Sequence, residues 1–399
     1  MKSILASLLL LGSVNSFAVV ASVPTSETDK VHGFVVEYKS KDKAIAASSV
    51  FTKNNVNAVN LKAASSVNIS SATFDKLSTK FTVGSHVVLN SSETMTVLEA
   101  EKIARELIKD PNVKSASPDY ILKPMGYGIG SGIGAGLQWH LGSDYFSSMN
   151  FKYVWANKSE GSNKVSVAII DTGYVPHPDM APVIAEYDFI TNTSNSGDGD
   201  GWDSSAKDEG DFCTTNNTNS SWHGTKVSGV ISSKYNSSST FGGVANVNLI
   251  HARALGRCGG SMSDIISAIY WAAGQSLTSP TGATVKLSVP RADVINMSLG
   301  ADLSTQTPCP SVLQSAVDYA LSAGTVLVAA TGNSAKNYIS FPANCTGVIA
   351  VGATGKYGDK SIYSNYGAGT SLLAPGGDYD QNAGMYDPVI TFGVDNCGS

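Results

Sequence analysis

Asp171, His223 and Asn333 are the residues whose types and placement could do chemistry. Asp171 closes the apolar run Val167-Ala168-Ile169-Ile170 and is followed by Thr172-Gly173. A carboxylate at the end of a buried strand costs free energy unless it is hydrogen-bonded. Taken alone, it reads more readily as a surface aspartate opening a turn than as a catalytic group. His223 heads His223-Gly224-Thr225 at the start of a small-residue helix. A lone histidine is more often structural, but a carboxylate partner would fix its tautomer and orientation as a general base toward serine. Asn333 ends Ala329-Ala330-Thr331-Gly332-Asn333, after another apolar run. Its amide could donate to an oxyanion, or simply shape a turn beside Gly332.

Two further groups of residues could bind or crosslink. Asp198, Asp200, Asp203, Asp208 and Asp211 cluster between Asp171 and His223, interleaved with glycine. Oxygen ligands in a flexible loop suit calcium rather than zinc, and a solvated acidic loop is the alternative. The five cysteines, Cys213, Cys258, Cys309, Cys345 and Cys397, contain no C-x-x-C pair, which argues against zinc or thioredoxin-type sites. Their odd number leaves one without a partner within the sequence, or free as a buried thiol.

These residues need elements to hold them. A chain of 399 residues with 42% hydrophobic content supports a sizeable core and more than one unit. Charged residues make up 15% and the net charge is −5, which gives no reason to invoke nucleic acid, a partner that would ask for a basic face. Lys2, the apolar run Ile4 to Gly12 and Ser16-Phe17-Ala18 have the order of an export signal over residues 1–18. That run is too short to span about 30 Å of hydrocarbon, and no later stretch is long and apolar enough, so no membrane partner is expected. Export to an oxidising compartment makes disulfides possible.

Residues 23–125 read as a small α+β module. Strand patterns lie at Gly33–Tyr38, Lys80–Leu89 and Val113–Tyr120, and a helix between Thr96 and Asp110 opens with the pair Thr96 and Glu99, a capping box. Residues 126–136 alternate glycine with small or apolar residues and carry no charge, as a linker open to proteolysis would. From 138 to 399 strand and helix patterns alternate: Val165–Ile170, a helix from His223, Val247–Ala254, and a helix from Asp264 with Ser263 as its cap. There follow Val294–Gly300, Ser311–Ser322, Val326–Ala330 and Val348–Val351. Such alternation predicts an α/β fold, a parallel sheet with helices on both faces, with ligands at the C-terminal strand ends.

Asp-Thr-Gly after an apolar strand, then His-Gly-Thr, then Ala-x-Gly-Asn in this order resembles the subtilisin-like serine proteases, from about Gln138-Trp139 onward. The resemblance implies a secreted endopeptidase acting on polypeptide substrates through an acyl-enzyme. Asp171 would orient the base, His223 would be the base, and Asn333 would help form the oxyanion hole. Ser298, Leu299 and Gly300 would pair with an extended substrate. The first module would be the chain's own propeptide, and calcium would be structural. With export it also implies that Cys213 pairs with Cys258 and Cys309 with Cys345. Lys226 replaces the family's fourth-position histidine, and Ala301 replaces a usual glycine. The nucleophile segment Gly-Thr-Ser-Met-Ala-x-Pro is absent. Gly369-Thr370-Ser371-Leu372-Leu373-Ala374-Pro375 imitates it, but Pro375-Gly376-Gly377 would break the helix that must follow. The expectation is therefore a catalytic domain incomplete at its C-terminus, with a non-catalytic, peptide-binding remnant as the alternative.

Overall fold

The computed structural model describes residues 30–52, 76–125, 129–131, 138–143, 145–151, 164–215, 217–232, 242–244, 246–380 and 385–391. The export signal, most of the Gly-rich stretch and Cys397 lie outside them.

The first unit comprises β1 (Lys30–Tyr38), α1 (Lys41–Thr52), β2 (Leu77–Val83), β3 (His86–Thr96), α2 (Val97–Leu107) and β4 (Val113–Pro118). Its sheet is antiparallel, in the order β2-β3-β1-β4. Alternation along β1 divides its side chains between two buried faces. Phe34 and Val36 join Val87, Leu89, Ala100, Ala104 and Leu107 beneath the helices. Val35 joins Phe81, Val83 and Val88 in the main core shared with the rest of the chain. The capping box at Thr96 and Glu99 is formed, contributing about 1 kcal/mol. The single run expected at Lys80–Leu89 is instead a hairpin, because Gly84 turns the chain with φ +58°. β5 (Ile121–Pro124) follows immediately.

Within the Gly-rich stretch, β6 (Ile129–Ser131) pairs with the last strand described below, so these three residues are not free linker. The larger unit then runs β7 (Val165–Asp171), β8 (Val183–Asp188), α3 (Thr193–Ser196), α4 (His223–Ile231), β9 (Val247–Arg253) and β10 (Gly260–Ser261). It continues with α5 (Met262–Ala272), β11 (Leu277–Thr278), β12 (Thr284–Val285), β13 (Val294–Met297), β14 (Leu299–Gly300) and α6 (Ser311–Ser322). β15 (Val326–Ala330), β16 (Ile349–Thr354), β17 (Leu372–Pro375), β18 (Gly377–Asp380) and β19 (Met385–Thr391) complete it. Seven strands form one parallel sheet in the order β17-β16-β15-β13-β7-β9-β8. The α/β fold read from the sequence is the fold observed.

Local chemistry sets the helix ends. The Ser261 hydroxyl, not Ser263, accepts the Asp264 N–H and caps α5; Ser263 is committed to Asp119 of the first unit, its N–H and hydroxyl donating to that carboxylate at 2.8 and 2.7 Å. Gly324, at φ +84°, closes α6 in the left-handed position that favours glycine. Cys213 is bonded to Cys258 and Cys309 to Cys345. The first bond ties the loop before α4 to the turn before β10; the second brackets α6 and β15.

Candidate active site

β7 and α4 bring the two principal residues together. Asp171, the last residue of β7, is fully buried, and His223, the first of α4, is nearly so. His223 Nδ1 lies 2.8 and 3.0 Å from the two Asp171 carboxylate oxygens. The Thr172 N–H donates to Asp171 Oδ1 at 2.7 Å, satisfying an oxygen of the buried carboxylate. Burial pulls the His223 imidazole toward neutrality, but the Asp171 carboxylate outweighs it and holds the pKa above its ordinary value. Nδ1 is thereby engaged, and Nε2 has no hydrogen-bond partner among the described residues. That nitrogen is the one left to accept a proton.

The helix start is unusual. Its N-cap, Trp222, sits in the left-handed region at φ +52° and offers no side-chain cap. The Thr172 hydroxyl caps it from outside, accepting the Gly224 N–H at 3.0 Å. The end of the strand carrying Asp171 thus caps the helix carrying His223.

Asn333 follows β15 after Gly332, whose φ is +120°. It lines a cavity of about 290 Å³ together with Met125, Asn296, Ser298, Thr331 and, from α4, Val230. The cavity opens at the C-terminal strand ends, the side on which Asp171 sits. Leu299 and Gly300 form β14, and β14 pairs with β5, with Leu299 opposite Pro124 and Gly300 opposite Lys123. On its other edge β5 pairs with β10, with Leu122 opposite Gly260. The Met125 N–H donates to the Ser298 carbonyl at 2.6 Å. Residues 121–125 therefore lie as an extended peptide between two strands of the larger unit and enter the cavity at Met125. The sequence reading missed this strand.

Ser371 is placed elsewhere. It precedes the edge strand β17, where its N–H donates to the Ala350 carbonyl and its Oγ accepts the Ala350 N–H. Ala350 is near the start of β16, so Ser371 lies at the N-terminal ends of the strands, opposite Asp171. Gly376 and Gly377 lead into β18 rather than a helix.

The acidic loop divides differently from the expectation. Asp188, Asp198 and Asp203 each offer a carboxylate oxygen, all within 4.8 Å of one another. Asp188 was missed because it ends β8, outside the loop. Asp200 stands outside this trio. Asp208 and Asp211 are removed from it by other partners: Asp208 accepts from the Thr172 hydroxyl and the Gly210 N–H, and Asp211 from the Ser221 N–H and hydroxyl. The Arg253 guanidinium reaches into the trio, touching Asp188 and lying 2.7 Å from Asp198. One guanidinium against three carboxylates still leaves oxygen donors of the kind that suit a hard cation, so the residues fit a divalent ion with Arg253 at its flank.

The Subtilase family model matches residues 162–394. The chain is 36% identical over 388 residues to an extracellular protease of Xanthomonas campestris pv. campestris, covering 94% of this chain and 63% of that protein. It is 32% identical over 298 residues to the extracellular basic protease of Dichelobacter nodosus, covering 71% of this chain and 47% of that protein. Among solved structures, a protease from Pseudoalteromonas arctica PAMC 21717 matches with 37% identity and a TM-score of 0.55, covering 64% of this chain and 73% of its own. The epidermin leader peptide processing protease of Staphylococcus aureus shares the fold, at 19% identity and a TM-score of 0.54, over 88% of this chain and 76% of its own. With the Asp171–His223 pair on a seven-stranded parallel sheet and this family match over more than half its length, the chain belongs to the subtilase family.

Proposed function

We propose that the protein is a secreted serine endopeptidase, carried to the exterior by residues 1–18 and held inactive by its own residues 23–125. The observation that carries this reading is the buried Asp171–His223 pair beside a peptide strand clamped at β10 and β14. A peptide paired through its main chain on both edges is held independently of most side chains, as a polypeptide substrate must be. His223 Nε2 takes the proton of a serine that lies outside the described residues. Asp171 stabilises the imidazolium that forms, and the Asn333 amide donates to the oxyanion. The matched relatives are proteases by name, which favours an enzyme over a peptide-binding remnant.

The first unit has the contacts of an inhibitor. Glu37 accepts from the Ser315 hydroxyl of α6 at 2.8 Å, Asp119 accepts from Ser263 of α5, and β5 occupies the substrate strand. Met125 supplies the acyl side of the bond to be cut. A protein carrying these residues together with the nucleophile serine should hydrolyse casein, and its mature N-terminus should be Gly126. His223→Ala should leave the chain uncut, and a serine-directed phosphonate should not label Ser371. Hydrolysis that survives His223→Ala would defeat the reading.

Asp188, Asp198 and Asp203 would hold calcium, which would pin the loop between β8 and α4 without entering the chemistry. Calcium at 100 times its Kd should stabilise the fold by about 2.7 kcal/mol, read as a rise in Tm that a chelator reverses. Asp203→Asn should abolish that rise; an equal rise in the variant would remove calcium from this site.

A further inference from the structure

Asp208 has no part in the acidic trio, yet it is almost fully buried, and a carboxylate is costly there unless its oxygens are used. Both are. Oδ1 accepts the Gly210 N–H at 2.8 Å and Oδ2 accepts the Thr172 hydroxyl at 2.6 Å. We propose that Asp208 is a positioning residue for the catalytic pair, acting through Thr172 on the start of α4. The inference rests on the assignment of Asp171 and His223 above.

A hydroxyl has one proton and two lone pairs. Because the Thr172 proton goes to Asp208, its oxygen is left to accept, and it accepts the Gly224 N–H. Gly224 follows His223 directly, and Thr172 follows Asp171 directly. One hydroxyl, oriented by Asp208, therefore fixes the distance between the backbone that carries the acid and the backbone that carries the base. The main chain reinforces the contact: the Asp208 N–H donates to the Tyr174 carbonyl and the Tyr174 N–H to the Ala206 carbonyl. The Val175 N–H donates to the Thr225 hydroxyl at 2.9 Å, on the same helix. Asp208 touches neither Asp171 nor His223 and does no chemistry itself.

Asparagine at 208 cannot reproduce this arrangement. Its amide oxygen can satisfy Gly210 or Thr172 but not both, and its NH2 group then faces a donor. If it faces Thr172, the hydroxyl proton loses its acceptor and the contact to Gly224 loosens.

The test uses three variants, Asp208→Asn, Thr172→Val and Thr172→Ser, of the protein that includes its nucleophile serine, read by kinetics and by the low-field NMR resonance of the proton between His223 Nδ1 and Asp171. Asp208→Asn and Thr172→Val should lower kcat by about 10- to 100-fold, the range for sub-ångström to ångström misplacement of reacting groups, with KM within about twofold because neither residue touches substrate. Both should shift the low-field resonance, and Thr172→Ser, which keeps the hydroxyl, should restore kcat and resonance together. Asp208→Asn combined with Thr172→Val should be no worse than Thr172→Val alone. A folded Asp208→Asn with unchanged kcat and resonance, or losses that add in the double variant, would overturn the proposal. If Asp208→Asn does not fold, Thr172→Val with a normal resonance and kcat would overturn it equally. Activity that survives His223→Ala counts against the assignment of the base instead, and the NMR comparison then still decides whether Asp208 positions the pair.

Discussion

Replacing Asp171 with asparagine should lower kcat by on the order of 10⁴-fold while leaving KM nearly unchanged. Asp171 accepts from His223 Nδ1 through both oxygens and is not among the residues that line the cavity entered by Met125. Asparagine keeps the shape, but its amide NH2 can face Nδ1 only if the imidazole carries its proton on Nε2. That is the wrong tautomer for a base. The same variant should change the pH dependence of stability. The folded pKa of His223 lies above its ordinary value because of Asp171, so the pair's contribution is fully present below the unfolded pKa of about 6.5. It is lost as pH rises through the folded value. The Tm gap between the parent and Asp171→Asn should therefore be wider at acidic than at alkaline pH. An NMR titration should show the His223 pKa falling in the variant. A variant with full kcat and an unchanged titration would show that the two residues do not act as a pair.

The second large effect is expected from the smallest change, Gly224→Ala. A Cβ on Gly224 would stand 2.1 Å from the Gly173 carbonyl oxygen and 3.2 Å from the Asp171 Cβ. The first obstacle is backbone, with no flexible end to swing aside, so α4 must move away from the turn that carries Asp171. A shift of about 1 Å costs on the order of 10²-fold in rate, and overpacking costs about 1–3 kcal/mol of stability. Both should be seen in Gly224→Ala, by kcat and by thermal unfolding. An alanine variant with the parent's kcat would mean that helix and turn are not in fixed contact.

The features legible in the sequence were those written locally. Asp171 at the end of an apolar run, His223 before a small-residue helix and the Thr96–Glu99 box each declare themselves within a few residues. The features missed were written across the fold. Asp188 was overlooked and Asp208 included because spacing along the acidic loop does not reveal that Thr172 claims Asp208 while β8 brings Asp188 beside Asp198 and Asp203. Ser263 looked like a cap because nothing near it shows that Asp119, far earlier in the chain, takes its hydroxyl. Ile121-Leu122-Lys123-Pro124 carries no clear alternation and ends in proline, and both its partner strands come much later. Only tertiary pairing makes it a strand. Ser371 was rejected on the helix-breaking residues that follow it, and its bonds to Ala350 give the physical reason.

The strand at Ile121–Pro124 has a consequence for how inhibition responds to dilution. If residues 23–125 inhibit as proposed, this strand, as part of the same molecule, would fill the groove at an effective concentration set by its connection rather than by the amount of protein. Dilution would not release it, and a neighbouring molecule would compete only at concentrations approaching that effective value. Once the bond after Met125 is cut, the same contacts belong to a separate ligand, whose occupancy falls as the mixture is diluted. A single cleavage would thus turn a concentration-independent block into an ordinary binding equilibrium, which export into a large volume would draw toward release.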